Sequence, residues 1–264
     1  TDGNDAWSGK LEKPDTGGKD GPFASLHRAR DAVRELIRSE SNARRITVLV
    51  RGGKYFFTEP LRLASEDSGT KERPVTWSAY PGETPVLSGG VRLTDWQPHE
   101  GKIRKCKVPG VQGGRWKFRQ LFCNGERMAR SRYPKVDPDD PLYSGWLFIE
   151  EAAEEDGTDA FIYKPDTFDK AWSKPEQGEV VIWHRHEWGN MTIPIVSMDE
   201  STRTIKMQHS GRHCLLRAPW VIYADLVPNN RFRVENILEE LDGPGQWCLD
   251  IEDGFVYFWP PTDN

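Results

Sequence analysis

The chain has 264 residues, a length that builds one large β domain or two small ones and buries a core without disulfide staples. Hydrophobic residues make up 36% and charged residues 29%, which excludes a disordered chain, and no apolar run approaches the ~18 residues of a membrane helix. The net charge of -5, from 41 acids and 36 bases spread along the chain, excludes nucleic acid as the main partner and a basic membrane-surface role.

Heavy turn punctuation, 24 Gly and 19 Pro, combines with 11 Trp and a single helical pattern to point to an all-β chain. Residues 1–22 are polar and Gly-rich; Asp2, Asn4 and Asp5 read as turn caps in preference to calcium ligands. Ser25 is a natural N-cap, and Leu26, Ala29, Ala32 or Val33, and Leu36 or Ile37 recur at helical spacing. The spacing predicts one amphipathic helix covering an apolar surface. Ile46, Val48 and Val50 then alternate in a strand closed by Gly52-Gly53. Short strands follow at Leu61–Leu63, Val75–Tyr80 and Pro85–Gly90, with turn signals and no helix between them. Short strands winding with Gly at their corners predict a β-solenoid.

The texture changes from about Trp96. Gln120–Cys123, Asn124-Gly125 and Glu126–Met128 predict a hairpin, because Asn-Gly suits a type I′ turn. Arg127, Arg130, Arg132 and Tyr133 follow that turn. On one strand Arg130 and Arg132 would share a face and clamp the carboxylate of an acidic sugar; the competing reading is a row of salt bridges. Residues 134–142 read as loop, and 146–149 and 161–163 as strands. Between them, the acidic run Glu150–Gly157 lacks the alternation of a calcium loop and reads as solvated.

A longer strand is expected over 179–188. Alternation would put His184 and His186 on one face, where two imidazoles can take part in a metal site with His209 or His213. An isolated His-x-His is more commonly a surface or hydrogen-bonded pair. A third reading makes His184 and His186 a sugar-contact face with Trp188 as stacking platform. Residues 191–198 and 203–208 form a second expected hairpin around Asp199–Thr202. Near the end, Phe232–Val234 is strand-like and Glu235–Leu241 a helical turn. Trp247–Leu249 and Phe255–Trp259 flank an Asp253-Gly254 hairpin turn. Trp77, Trp247 and Trp259 read as core. Cys106, Cys123, Cys214 and Cys248 show no C-x-x-C spacing, so no zinc knuckle or redox motif is expected, and Cys123 and Cys248 read as free buried thiols.

Several of these segments resemble a known family. GPFASLHRARDAV, ITVLVRGGKYFFTEPL and EDSGTKERPVTWSAYPGETPVLSGG are similar to the start of right-handed parallel β-helix proteins of glycoside hydrolase family 141. FRQLFCNGERMARSRYP resembles the lead-in to a β domain inserted in that family, and RFRVENILEELDGPGQWCLDIEDGFVYFWPP the segment that rejoins the helix. The resemblance covers most of residues 1–134 and 231–261 and is weaker over 135–230. It implies a capping helix and first β-helix coils over 1–96, an inserted antiparallel sandwich or barrel over 97–228, and a return to the β-helix over 229–264. It further implies a secreted or periplasmic enzyme acting on polysaccharide, with its catalytic acids on later coils, so that no residue here inherits a catalytic role and a fragment of this extent is inactive alone. The expected partner is a polysaccharide or oligosaccharide, with no nucleic acid, membrane or cofactor. Carbohydrate-contact candidates are His184, His186, Trp188, Arg130, Arg132 and Tyr133. The alternatives are a non-catalytic carbohydrate-binding module and a structural or adhesive β-helix.

Overall fold

A computed structural model describes residues 2–39, 45–153, 159–185, 187, 189–208 and 226–262. The chain divides into two compact units, 1–92 and 93–264.

The first unit opens with the expected helix, α1 (Leu26–Arg38). The Ser25 side chain accepts a hydrogen bond from the Arg28 N–H at 3.1 Å, satisfying one of the donors left open at a helix start. Leu26 and Val33 are buried, while Leu36 and Ile37 at the far end of the stripe stay exposed. A two-pronged ion pair ties the helix down. Arg34 Nε and Nη2 donate to the Asp67 carboxylate at 2.7 and 2.8 Å, and Asp67 is buried.

Four strands follow: β1 (Ile46–Val50), β2 (Gly53–Phe56), β3 (Val75–Ala79) and β4 (Pro85–Ser88). β1 pairs in parallel with β3, Ile46 opposite Val75, and β2 with β4, Gly53 opposite Pro85. Each strand therefore meets its counterpart one circuit later. Residues 61–63 are not a strand; Ser65–Asp67 form a short 3-10 turn instead, which presents Asp67 to Arg34. The corner between β1 and β2 sits on the corner between β3 and β4. Arg51 forks onto Glu83, and the Gly52 N–H donates to the same carboxylate at 2.6 Å. A Cβ on Gly52 would lie 3.3 Å from the Glu83 Cβ, which gives the Arg-Gly-Gly run its physical reason. Trp77 is only partly buried.

The second unit contains a five-stranded sheet and a barrel. Its strands are β5 (Gln97–Pro98), β6 (Arg104–Lys107), β7 (Phe122–Cys123), β8 (Glu126–Arg127), β9 (Ala129–Arg130), β10 (Arg132–Tyr133), β11 (Leu147–Ala152), β12 (Ala160–Tyr163), β13 (Glu179–Trp183), β14 (Asn190–Asp199), β15 (Thr204–Met207), β16 (Arg231–Glu235), β17 (Gln246–Asp250) and β18 (Phe255–Phe258). The β7–β8 hairpin turns through Asn124 and Gly125, both at positive φ as that turn type demands. The sheet runs β5-β6-β18-β17-β9, and only the β9–β17 pair is parallel. Its core is Trp247, Leu249, Val256, Phe258, Val108 and Val111, with Phe118 stacked on Trp247 at 5.4 Å. Trp259 is partly buried against Leu241 and Tyr257. Cys106 and Cys248 are buried free thiols and Cys123 is half-buried; Cys214 lies outside the described residues.

The barrel settles the choice between sandwich and barrel. β16 pairs with β13 on one side and with β11 and β10 on the other, and β11-β12-β15-β14-β13 completes a closed antiparallel ring of six strands among the described residues. Inward residues alternate along β16, Phe232 and Val234, and join Ile149, Phe161, Val180, Ile182, Ile193 and Ile205 in the core. Closure removes the free edges that an open sheet would expose. Among the described residues, parallel pairing is confined to the two small sheets of the first unit and the β9–β17 contact, so the structure is mostly β with one α-helix, and the parallel β-helix itself is not displayed. Nor, among these residues, is any helix long and apolar enough to cross a membrane.

Barrel and sheet are joined at Asn236. Its Nδ2 donates to the carbonyls of Gln177 and Leu249 at 2.8 and 2.9 Å, its Oδ1 accepts from the Leu249 N–H at 2.8 Å, and its own N–H donates to the Ser131 carbonyl at 2.9 Å. The residue is buried and sits at φ 70, a conformation Asn tolerates better than most side chains.

Two outcomes are expected. Asn236→Asp keeps the acceptor but loses both donations, leaving buried carbonyls unpaired; urea unfolding of the second unit should show a loss of about 3 kcal/mol or more. Arg34 holds the Asp67 carboxyl down to about 2, against its burial. A carboxyl depressed in the folded state contributes stability above its unfolded value and loses it as pH falls through the folded one. The stability gap between the wild type and Asp67→Asn should therefore be full above about pH 4 and shrink toward pH 2, followed by denaturant titration across that range.

Candidate functional site

On the outer face of the barrel, alternation turns Arg231, Arg233 and Glu235 of β16 away from the core. Cross-strand register sets Glu179 opposite Glu235 and Val181 opposite Arg233, with Asn190 and Thr192 of β14 flanking β13. Segment 119–130, which leads out of the five-stranded sheet, supplies the opposing wall. Between them lies a cleft of about 430 Å³, lined by Arg119, Arg127, Arg130, Arg132 and Arg233, with Glu235, Val181, Asn190 and Thr192.

Its charges are arranged in a network. Arg130 forms an ion pair with Glu179 and lies 3.8 Å from Glu235. Arg119 Nη2 donates to the other Glu179 oxygen at 2.9 Å, and Arg233 Nε to Glu235 at 2.8 Å. Burial alone would raise the Glu179 carboxyl, but the guanidiniums of Arg130 and Arg119 outweigh it and hold it below the ordinary range. Arg132 is held differently: its Nε donates to the Pro134 carbonyl at 3.2 Å and its Nη2 to the Gly145 carbonyl. Burial, and then the neighbouring Arg233 charge, push this guanidinium down to about 10. Beyond the cleft a stripe of aromatic rings carries further cations. Arg231 lies 4.4 Å from the Trp183 ring and 5.4 Å from Trp146, and Arg233 lies 4.7 Å from Trp146.

The structure places the six candidates as follows. Arg130 and Arg132 meet at the cleft, but not as neighbours on one strand. Arg130 ends β9 in the five-stranded sheet and Arg132 begins β10 in the barrel, with buried Ser131 as the crossing point. Tyr133 faces inward by alternation, its hydroxyl donating to the Thr167 carbonyl at 3.0 Å and its ring packed on Phe168 and Trp172. His184 is buried just past the end of β13, which stops at Trp183 and does not run to 188. Glu187 sits at φ 50 with its N–H donating to the His184 carbonyl, so the strand alternation of β13 does not extend to residue 184. His186 and Trp188 lie outside the described residues, as do His209 and His213. No group of three or more His, Cys, Asp or Glu side chains among the described residues is arranged to hold a metal ion. Arg119, Arg233, Glu179 and Glu235 are not singled out by the sequence; the polar alternation of Arg231-Phe232-Arg233-Val234-Glu235 is a signal for Arg233 and Glu235, and no local pattern marks Arg119 or Glu179.

Removing Arg130 with Arg130→Met should raise the Glu179 carboxyl from its depressed position, because burial then acts against Arg119 alone. An NMR titration of the side-chain carboxyls reads this directly.

Comparison with known proteins bears on what this cleft serves. The family model described as "GH141 insertion domain" matches residues 101–261. A solved structure described as "Glycoside hydrolase" superposes with a TM-score of 0.74 at 26% identity, over 99% of this chain and 42% of that one. The chain thus spans well under half the length of that structure. Curated proteins give no match.

Proposed function

The chain belongs to the family of the GH141 insertion domain, and from that premise we propose that it forms the substrate-binding β portion of a polysaccharide-degrading glycoside hydrolase. The carrying observation is the superposition of 99% of the chain on a glycoside hydrolase. In this reading the strand pairs β1–β3 and β2–β4, each meeting its counterpart one circuit on, are the first coils of a right-handed parallel β-helix. The helix α1 caps them. The barrel forms one wall of the substrate groove, and Arg130, Arg132, His186 and Trp188 are the residues proposed to contact carbohydrate; Tyr133, packed on the barrel core, and buried His184 fall outside that set. A polymeric substrate places the protein outside the cytoplasm, secreted or periplasmic.

The chemistry of the cleft favours binding over bond cleavage. A glycosidase needs one carboxyl that stays protonated to donate to the leaving oxygen, about 5–10 Å from a second carboxylate. Glu179 and Glu235 are close across the strands, but each is held by guanidiniums, and Glu179 is pushed toward its ionised form. The hydrolytic acids are therefore assigned to other coils of a longer protein. This also sustains a second reading, a non-catalytic carbohydrate-binding module.

Affinity electrophoresis and reducing-sugar release on a panel of plant and algal polysaccharides test both. The 264-residue chain should be retarded by at least one polymer and release no sugar. A chain extended to the span of the solved glycoside hydrolase should release it. Retardation without hydrolysis by the extended chain would favour the binding module, and no retardation by any polymer would count against both.

A further inference from the structure

Resting on the carbohydrate reading above, we propose that the arginine cleft is a subsite for a negatively charged group carried on a sugar, a uronate carboxylate or a sulfate ester, and that Arg127 is its primary contact.

The first argument is charge. Five guanidiniums line the cleft and two carboxylates, Glu179 and Glu235, stand among them, so three positive charges are left uncompensated. They are concentrated at one site of a chain whose net charge is -5. Like charges gathered in a concave site raise the local field and draw in anions.

The second is which donors remain open. The two carboxylates are already engaged by Arg119, Arg130 and Arg233. Arg132 finds only carbonyl oxygens, so its charge has no hydrogen-bonded counter-ion. The buried Nε of Arg130 has no acceptor. Arg127 lines the cleft from the exposed β8 arm of the hairpin, and its guanidinium makes no hydrogen bond or ion pair among the described residues. Its guanidinium can present two parallel N–H groups to a carboxylate or sulfate, the geometry in which Arg binds such groups best. Because Glu179 and Glu235 are neutralised by their own partners, they do not repel an incoming anion.

The third concerns what the aromatic rings do. Trp146 and Trp183 are not part of the cleft lining, and their rings are faced by Arg231 and Arg233. They orient cations and are poorly placed to stack on a pyranose. Recognition at this site therefore rests on charge.

Isothermal titration of the 264-residue chain tests the proposal with four probes: a galacturonate oligosaccharide, a neutral galactose oligosaccharide of equal length, a sulfated galactan oligosaccharide, and polyglutamate. An acidic sugar should bind, more weakly as salt rises, and the neutral one at least about tenfold less well, the worth of a lost charge-assisted pair. Arg127→Ala should weaken the acidic sugar by about tenfold and Arg127→Glu should abolish binding. Arg104→Ala, on the far sheet strand β6, should change nothing, with circular dichroism confirming that each variant is folded. Which acidic sugar binds identifies the anion. Equal binding of neutral and acidic sugars, or indifference to both Arg127 variants, would overturn the charge subsite and leave the carbohydrate reading standing. Binding of polyglutamate with no sugar bound would overturn both.

Discussion

The second unit depends on the side-chain amide of Asn236. One buried residue closes four hydrogen bonds, to Ser131, Gln177 and twice to Leu249, and those partners belong to both bodies of the unit. Gln177 precedes the barrel strand β13, whereas Leu249 lies in the middle of β17 in the sheet. An amide is the side chain that can both donate to two carbonyls and accept from an N–H, and Asn is among the few residues that adopt positive φ at small cost. Around that knot the Gln177 side chain also bonds Asp250 and Ile251, and Arg130 of the sheet pairs with Glu179 of the barrel, so the two bodies are held by more than the chain passing between them. The arginine cleft exists because its two walls come from these two bodies.

Inside the cleft, burial and charge pull in opposite directions. Packing guanidiniums together is unfavourable, and four of the five are offset by different devices: carboxylates for Arg119, Arg130 and Arg233 and carbonyls for Arg132, with a tryptophan face for Arg233 as well and for Arg231 outside the cleft. The devices differ in what they leave behind. An ion pair cancels the charge, whereas a carbonyl or a ring satisfies the geometry and leaves the charge in place. The cleft consequently keeps a positive field while its side chains are fixed on strands, which is the condition for preorganised recognition.

Much of this was legible beforehand where the signals are local. Ser25 and the stripe through Val33 gave α1, and Asn124-Gly125 and Asp253-Gly254 gave two hairpins. The choice between sandwich and barrel was not legible, because closure rests on the β13–β16 pairing, and strands so far apart leave no trace of their partner in either segment. The spacing of Arg130 and Arg132 predicts a pair on one strand. They do meet, but through a crossing at Ser131 that pattern alone does not mark. The strand expected over 179–188 ends at Trp183, since the apolar alternation says nothing of the positive φ at Glu187. Residues 61–63 look strand-like, yet the segment is used to bring Asp67 under the helix.

The chain enters the barrel at β10 and leaves it at β16, and these strands lie side by side, Arg132 opposite Glu235. The residues just outside, Ser131 and Asn236, are already hydrogen-bonded to each other. A ring of strands whose two ends meet at one doorstep can lengthen, shorten or exchange its contents without disturbing the sheet that carries it. The barrel is thus a cassette: new recognition surfaces can be written over residues 133–234 provided Gln177 and Lys174, which reach back to the sheet, are kept with the Asn236 joint, and a protein engineer can cut and graft at the same two positions.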